Sequence, residues 1–386
     1  MSKSILDADT MLARAQMETG LGDWGDDTLP ERFRLAVEIF KEKNLNEAGQ
    51  RATREVANWM LTDRLRLFED FKKYPIGEEK IEKPLFGTGE ARSGTTLLHA
   101  LLAVDPHGRA LRFWEVSRPS PPPGIVQGED PRRALGDDDW RDINTKLPFW
   151  LVSHPYNDML GDGLPEDERT WDLDFRRMTT TGWWRAPIGM INGRLPENDR
   201  AQMRIHKMML QQFQYKRPKK YWVLKGFHGQ RLRELFDIYP DARIIWSHRD
   251  PVQTAASITM LIAELQEGLT GSVDIPEQAK VALARTRANI KDTLTDPMVN
   301  DPRIHHIRYP DFVKDPVGSI HGFYEFAGVP WKPDTEQAMR DYLKNNRGDR
   351  YGKFKYSASV LGEDIDALNK EFAPFRERFK LEIEKR

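Results

Sequence analysis

The sequence predicts an α/β protein: a P-loop-type parallel sheet flanked by helices, with an N-terminal helical region and a helical, aromatic-rich insertion. Three observations carry that prediction. A short apolar run, Leu85 and Phe86, enters a loop bounded by Gly89 and Gly94, and an apolar pattern of helical period follows through Leu97, Leu98, Leu101 and Leu102. Two more apolar runs, Tyr221 to Leu224 and Arg243 to Trp246, bracket an amphipathic helix with Leu232, Leu235, Phe236 and Ile238 on one side and Arg231, Arg233 and Glu234 on the other. That is a strand-helix-strand unit suited to a parallel sheet. Upstream, residues 31–73 repeat Val56, Trp59, Met60, Leu65, Leu67 and Phe68 among charged residues at helical spacings.

The loop after the first strand carries the chemistry. Its glycines let backbone N–H groups turn inward, and the helix that follows adds a partial positive charge, so the loop can hold an anion. A loop of the ATPase or GTPase kind places Lys and then Ser or Thr after the second Gly. Here Thr95 and Thr96 follow Gly94, and the fixed positive charge, Arg92, sits inside the loop.

Arg92-Ser93-Gly94-Thr95-Thr96 resembles the 5′-phosphosulfate loop of sulfotransferases that use 3′-phosphoadenosine-5′-phosphosulfate (PAPS), and the likeness is to the bacterial branch. A second motif is similar to the same family. Arg249 closes the second strand of the later unit, Asp250-Pro251 follow, and Ser257 comes two helical turns on, where it can face back toward the arginine. In the family such an Arg and Ser grip the donor's 3′-phosphate, and a catalytic Lys occupies the place of Lys225. The resemblance runs from about Pro84 to the C-terminal region, with a poorly matched middle. Two departures stand out: Glu90-Ala91 where the branch has a variable residue and Pro, and Lys225-Gly226-Phe227-His228 where it has Lys-Ser-Pro-x-His. A carboxylate at 90 is compatible with an anionic donor if it points away or pairs with Arg92.

The resemblance implies transfer of a sulfuryl group from PAPS, as co-substrate, to an acceptor hydroxyl, in line and with a general base. Ser93, Gly94, Thr95 and Thr96 would hold the 5′-phosphate, while Arg92 and Lys225 would stabilise charge on the transferring group and the leaving oxygen. Tyr309, in Arg-Tyr-Pro-Asp-Phe-Val-Lys-Asp-Pro, is a candidate adenosine contact, and Lys353 and Lys355 belong to a basic segment of the kind that folds over the nucleotide. No metal is expected. The base has three candidates: Glu115, expected where the next strand ends beside the loop; His228, three residues after Lys225; and His154, which opens the aromatic insertion. Their plainer roles are a salt bridge to Arg112 or Arg118, a helix-start residue and a loop histidine. His99, inside an apolar helix run, is expected to pack.

Composition sets the outer limits. Lys plus Arg number 59 against 60 Asp plus Glu in 386 residues, so nothing in the overall charge points to nucleic acid as partner. Cysteine is absent, which removes disulfides and thiolate chemistry. No window approaches the apolar length of a membrane span, and the N-terminus lacks the continuous apolar run of a secretory signal, so a cytoplasmic protein is expected.

One sulfotransferase-like domain is expected over 1–386. It divides into helical 1–83, the phosphosulfate-loop unit 84–116, an insertion 117–220 expected to form the acceptor side, the 3′-phosphate unit 221–330 and a C-terminal region 331–386. Within the insertion, 117–146 reads as irregular and polar, and Phe149, Trp150, Trp171, Phe175, Trp183 and Trp184 are candidates to line a pocket for a small hydroxyl-bearing acceptor with an apolar body. Nothing sets an oligomeric state. The rivals are a P-loop kinase, which lacks its Lys after Gly94, and a silent nucleotide-binding scaffold, for which the joint presence of Arg92, Lys225, Arg249 and Ser257 has no use.

Overall fold

Five parallel strands form the sheet: β1 (Leu85–Gly89), β2 (Gly108–Ala110), β3 (Tyr221–Lys225), β4 (Arg243–His248) and β5 (Ile304–Arg308), in spatial order β2-β3-β1-β4-β5. The computed structural model of the chain describes residues 5–41, 47–156, 158–176, 196–270 and 273–384. Register is close around β1: Gly87 lies opposite Lys225 of β3, and Gly89 opposite Ser247 of β4. The strands of both expected units therefore end at one edge.

Alternation along the strands decides what each face buries. Leu85, Val223 and Ile245 point to one side, where they meet Leu98 and Leu101 of the Thr95–Ala103 helix and Ile320 and Phe323 of the Pro316–Ala327 helix. Phe86, Leu224 and Ile244 point to the other. There they pack with Phe33 and Val37 of Leu29–Lys41, Met60 and Leu61 of Glu47–Lys73, and Met203 and Phe213 of Pro196–Gln214. Both faces are covered, as a parallel sheet requires. The N-terminal helices thus serve as a helical layer on the sheet. They also hold the insertion, since Arg32 and Arg64 both reach the buried Asp174 carboxylate, at 3.1 and 3.2 Å.

Three expectations are corrected. Residues 117–146 are not irregular throughout: Arg132–Lys146 is a helix that includes Asp137, Asp138 and Asp139. It buries only Arg132, Gly136 and Trp140, and surface pairs such as Arg141–Asp138 and Lys146–Asp142 line its exposed side, so it shows no broad apolar stripe. Glu115 does not stand at a strand end, because β2 stops at Ala110 and Glu115 lies in the short Phe113–Ser117 helix. Arg231 does not face solvent; it is buried with its guanidinium 4.6 Å over the Trp171 ring. Trp183 and Trp184 lie outside the described residues. Among the described residues, no helix is long and apolar enough to cross a membrane.

Candidate active site

The carboxyl ends of β1, β3, β4 and β5 open on a cleft of about 1310 Å³, where open α/β sheets place their ligands. Its floor is the Glu90–Gly94 loop. Ser93 Oγ donates to Glu90 O at 2.6 Å, and Ser247 Oγ at the end of β4 donates to Ser93 O at 2.7 Å, so both hydroxyls shape the turn. Gly94 caps the Thr95–Ala103 helix at φ +82°, and a Cβ there would stand 2.9 Å from the Tyr309 ring. That close approach leaves the helix N-terminus, with Thr95 and Thr96, facing the cleft.

Arg92 takes a left-handed backbone at φ +71°, which costs a non-glycine residue about 1–2 kcal/mol. The conformation is held from outside. Arg249 Nη1 donates to Arg92 O at 2.7 Å, and the Arg92 side chain donates to Ser257 Oγ at 3.0 Å and to Ser153 O at 2.8 Å. Arg92, Arg249 and Ser257, far apart in sequence, are thus joined by direct hydrogen bonds. Tyr309 joins them, its ring 4.3 Å from the Arg249 guanidinium. The remaining groups on the Arg249 fork are the Glu384 carboxylate, at 2.8 and 2.7 Å, and the Tyr356 hydroxyl at 3.1 Å. Burial would lower the Arg249 pKa, but the bond to Glu384 and the nearby Tyr309 and Tyr356 outweigh it and raise it, so the cation is fixed.

Glu90 is turned away from Arg92: Asn289 Nδ2 donates to its carboxylate at 2.9 Å. Burial raises its pKa, opposed by Arg285 and by that amide. The departure at Gly226 also has a packing reason, since a Cβ at that position would sit 2.4 Å from the Asp167 carboxylate.

Lys225, at the end of β3, lines the cleft, and its Nζ donates to Glu166 Oε1 at 2.6 Å. Glu166 is a site residue the sequence reading missed. Its neighbours fix it: Asp167 accepts from His228 at 2.9 Å and Glu168 from Arg231 at 2.6 Å, both below the surface, while the Glu166 side chain remains about one third exposed in the cleft. Burial opposes the charge on His228, yet Asp167 and the neighbouring carboxylates raise its pKa.

Of the three candidate bases, only His154 lines the cleft. It stacks on Trp150 with ring centroids 4.0 Å apart, and its Nδ1 lies 2.9 Å from Ser153 Oγ. Because that hydroxyl donates to Trp150 O, it accepts from His154 Nδ1–H and leaves Nε2 as the basic nitrogen. Burial, then Arg92 and Lys225, hold the imidazole pKa well below its usual value. His228 is fully buried behind the cleft, its backbone N–H donating to Thr88 Oγ1 at 3.0 Å and its ring committed to Asp167. Glu115 is also buried away from the cleft, where it accepts from Arg109 at 2.9 Å and Arg217 at 2.7 Å, partners other than the expected Arg112 and Arg118 side chains. Lys353 lines the cleft, whereas Lys355 is exposed outside it; between them Phe354 packs 5.0 Å from the Arg92 guanidinium.

One wall of the cleft is apolar. Phe113, Trp140, Trp150, Leu261 and Leu265 belong to a single hydrophobic cluster and line it together, with Ile258 and Ile262 beside them. Phe149, Trp171 and Phe175 do not line it; the last two are fully buried in the core beneath the insertion. No cluster of His, Asp or Glu suited to a metal ion occurs among the described residues.

A parallel sheet whose first loop caps a helix beside Arg92, and whose later strands deliver Lys225 and Arg249 to the same cleft, defines an α/β enzyme of the P-loop type. Residues 84–333 match the family model described as the sulfotransferase family, and the chain belongs to that family. It is a sulfotransferase, and its fold is that of bacterial sulfotransferases. The chain is 25% identical, over 69% of its length and 68% of the relative's, to omega-hydroxy-beta-dihydromenaquinone-9 sulfotransferase Stf3 of Mycobacterium bovis. The crystal structure of sulfotransferase STF9 from Mycobacterium avium superposes with a TM-score of 0.83 at 26% identity, covering 100% of both chains. Sulfotransferase STF1 from Mycobacterium tuberculosis H37Rv gives 0.73 at 24% identity, covering 96% of this chain and 100% of its own.

Proposed function

We propose that the enzyme takes its sulfuryl group from PAPS and delivers it to a hydroxyl on an acceptor with an apolar body. The observation that carries the donor assignment is the hydrogen-bonded set Arg92, Arg249 and Ser257 beside the Gly94–Thr96 helix start. Backbone N–H groups of the loop, with Thr95 and Thr96, would take the 5′-phosphate. Arg249 and Ser257 would take the 3′-phosphate, with Tyr309 against the adenosine and Lys353 over the nucleotide. The Arg249 fork is the group the site offers the 3′-phosphate, and the helix start at Gly94 the one it offers the 5′-phosphate.

In the transfer, the acceptor oxygen attacks sulfur while the bond from sulfur to the bridging phosphate oxygen breaks. The electron pair of that bond leaves with the nucleotide. Lys225 would meet the charge that grows on the leaving oxygen, and Arg92 that on the sulfuryl oxygens. The acceptor hydroxyl gives its proton to Glu166, which stands one hydrogen bond from Lys225 and opens on the cleft. His154 is the second reading for the base, favoured by its basic Nε2.

The apolar wall from Phe113 to Leu265 supports an acceptor that is mostly hydrocarbon, and the dihydromenaquinone named for the Mycobacterium bovis relative is of that chemistry. A cytoplasmic setting is part of the same proposal. The test is incubation with PAPS and hydroxylated isoprenoid quinols, simple phenols and sugars, with products read by mass spectrometry. Sulfation of the long apolar alcohols above the sugars is expected; sulfation of sugars alone would contradict the acceptor class.

A further inference from the structure

The fork of Arg249 already holds an anion. Glu384 is bound bidentately, Oε1 from Nε at 2.8 Å and Oε2 from Nη2 at 2.7 Å, the arrangement in which arginine also takes a phosphate. The segment that brings it there follows the Ala373–Phe379 helix and has no secondary structure of its own. It is tied down next to the arginine. The Glu384 N–H donates to Asp250 Oδ2 at 2.9 Å, and Gln253 Nε2 donates to Glu384 O at 3.1 Å. Asp250 is itself fixed, since Arg376 Nη2 donates to Oδ1 at 2.7 Å.

We infer that Glu384 is an internal competitor for the donor's 3′-phosphate, which must displace its carboxylate from Arg249 and which it replaces when the nucleotide product leaves. This rests on the assignment of Arg249 to the 3′-phosphate above. Two anions cannot share one fork, so part of the gain from the Arg249–phosphate contact is spent on breaking the Arg249–Glu384 contact. The Glu384 side chain is 18% exposed against 4% for Arg249, so the carboxylate is the member of the pair that water can receive. The effect falls on donor and product alike, because both carry the 3′-phosphate. It spares nucleotides without one. A site that must bind a multiply charged nucleotide and then release it gains from such exchange, since release often limits turnover.

The test is calorimetric titration of the full chain, and of Glu384→Gln and Glu384→Ala, with 3′-phosphoadenosine-5′-phosphate (PAP) and, separately, with 5′-AMP. Both variants should bind PAP about tenfold more tightly than the parent, the factor expected when the competent state is about one tenth populated, with 5′-AMP affinity unchanged. Amide exchange should report the same event: PAP, and not 5′-AMP, should speed exchange in the segment after Phe379, where the Glu384 N–H is otherwise bonded. Variants that bind PAP no better than the parent overturn the inference, as does equal tightening toward 5′-AMP or slower exchange of the segment with PAP. If PAP binds neither parent nor variants, the donor assignment itself fails and the inference with it.

Discussion

Lys225 Nζ and Glu166 Oε1 lie 2.6 Å apart at the carboxyl edge of the sheet, and both face the cleft. The lysine comes from a core strand and the glutamate from the insertion, so the pair ties the sheet edge to the segment that runs between β2 and β3. The buried grips of His228 on Asp167 and Arg231 on Glu168 hold that segment on either side of the same turn.

From this pair follows the sharpest kinetic expectation. Glu166→Gln should lower kcat by at least about 100-fold, the usual worth of a positioned base, while PAP affinity stays within about twofold. His154→Gln should cost about tenfold or less. Single-turnover assays with PAPS separate the two; full activity in Glu166→Gln with loss in His154→Gln would transfer the role to His154.

Glu115→Gln should behave differently. Its carboxylate is buried against Arg109 and Arg217, so neutralising it leaves two cations facing each other and should cost about 2 kcal/mol in urea unfolding. Turnover of the folded variant should stay within about twofold of the parent. A collapse of kcat with intact stability would restore Glu115 as a catalytic group.

Gly94→Ala tests the loop. The added Cβ meets the Tyr309 ring at 2.9 Å and adopts a left-handed conformation that costs about 1–2 kcal/mol. Calorimetry should show PAP affinity reduced at least about tenfold, while Gly77→Ala, where nothing lies within 4 Å, should leave it unchanged.

Stability should fall on acidification for an identifiable reason. Burial, aided by Lys225, holds the His99 imidazole down to about 3 from an ordinary 6.5. In the window between those values the unfolded chain takes up a proton the folded chain refuses, so stability is complete above pH 6.5 and is lost as pH falls toward 3. At pH 5 this one residue should cost about 2 kcal/mol relative to pH 7. His99→Leu should flatten the decline seen by denaturant unfolding between pH 7 and 5; an unchanged slope would remove His99 as its source.

What was legible in the sequence follows from how local its causes are. Parallel strands buried on both faces read as apolar runs, so β1, β3 and β4 could be placed within a residue or two, and the loop showed itself through Gly89, Arg92, Gly94 and Thr95. Arg249 and Ser257 were singled out by the resemblance to the sulfotransferase family, and their spacing suits it because a helix relates residues at a fixed rise. Glu166 was hidden for the opposite reason. Its place depends on grips by His228 and Arg231, some sixty residues away, and Glu166-Asp167-Glu168 reads in sequence as a solvated acidic run. His228 shows the same limit from the other side: nearness to Lys225 along the chain did not disclose that the turn after β3, pinned to Thr88, aims the ring behind the cleft. The helix at 132–146 escaped because surface ion pairs, and not an apolar stripe, make up most of it.

The proposed donor site would bind a nucleotide phosphorylated at both the 3′ and 5′ positions. Its most direct test is calorimetric titration of the intact chain with PAP, beside ATP with Mg²⁺, and of Arg249→Ala with PAP. Micromolar PAP binding, little affinity for ATP, and loss of PAP binding in Arg249→Ala are the predicted results. Absence of PAP binding, or ATP bound as tightly as PAP, would contradict it.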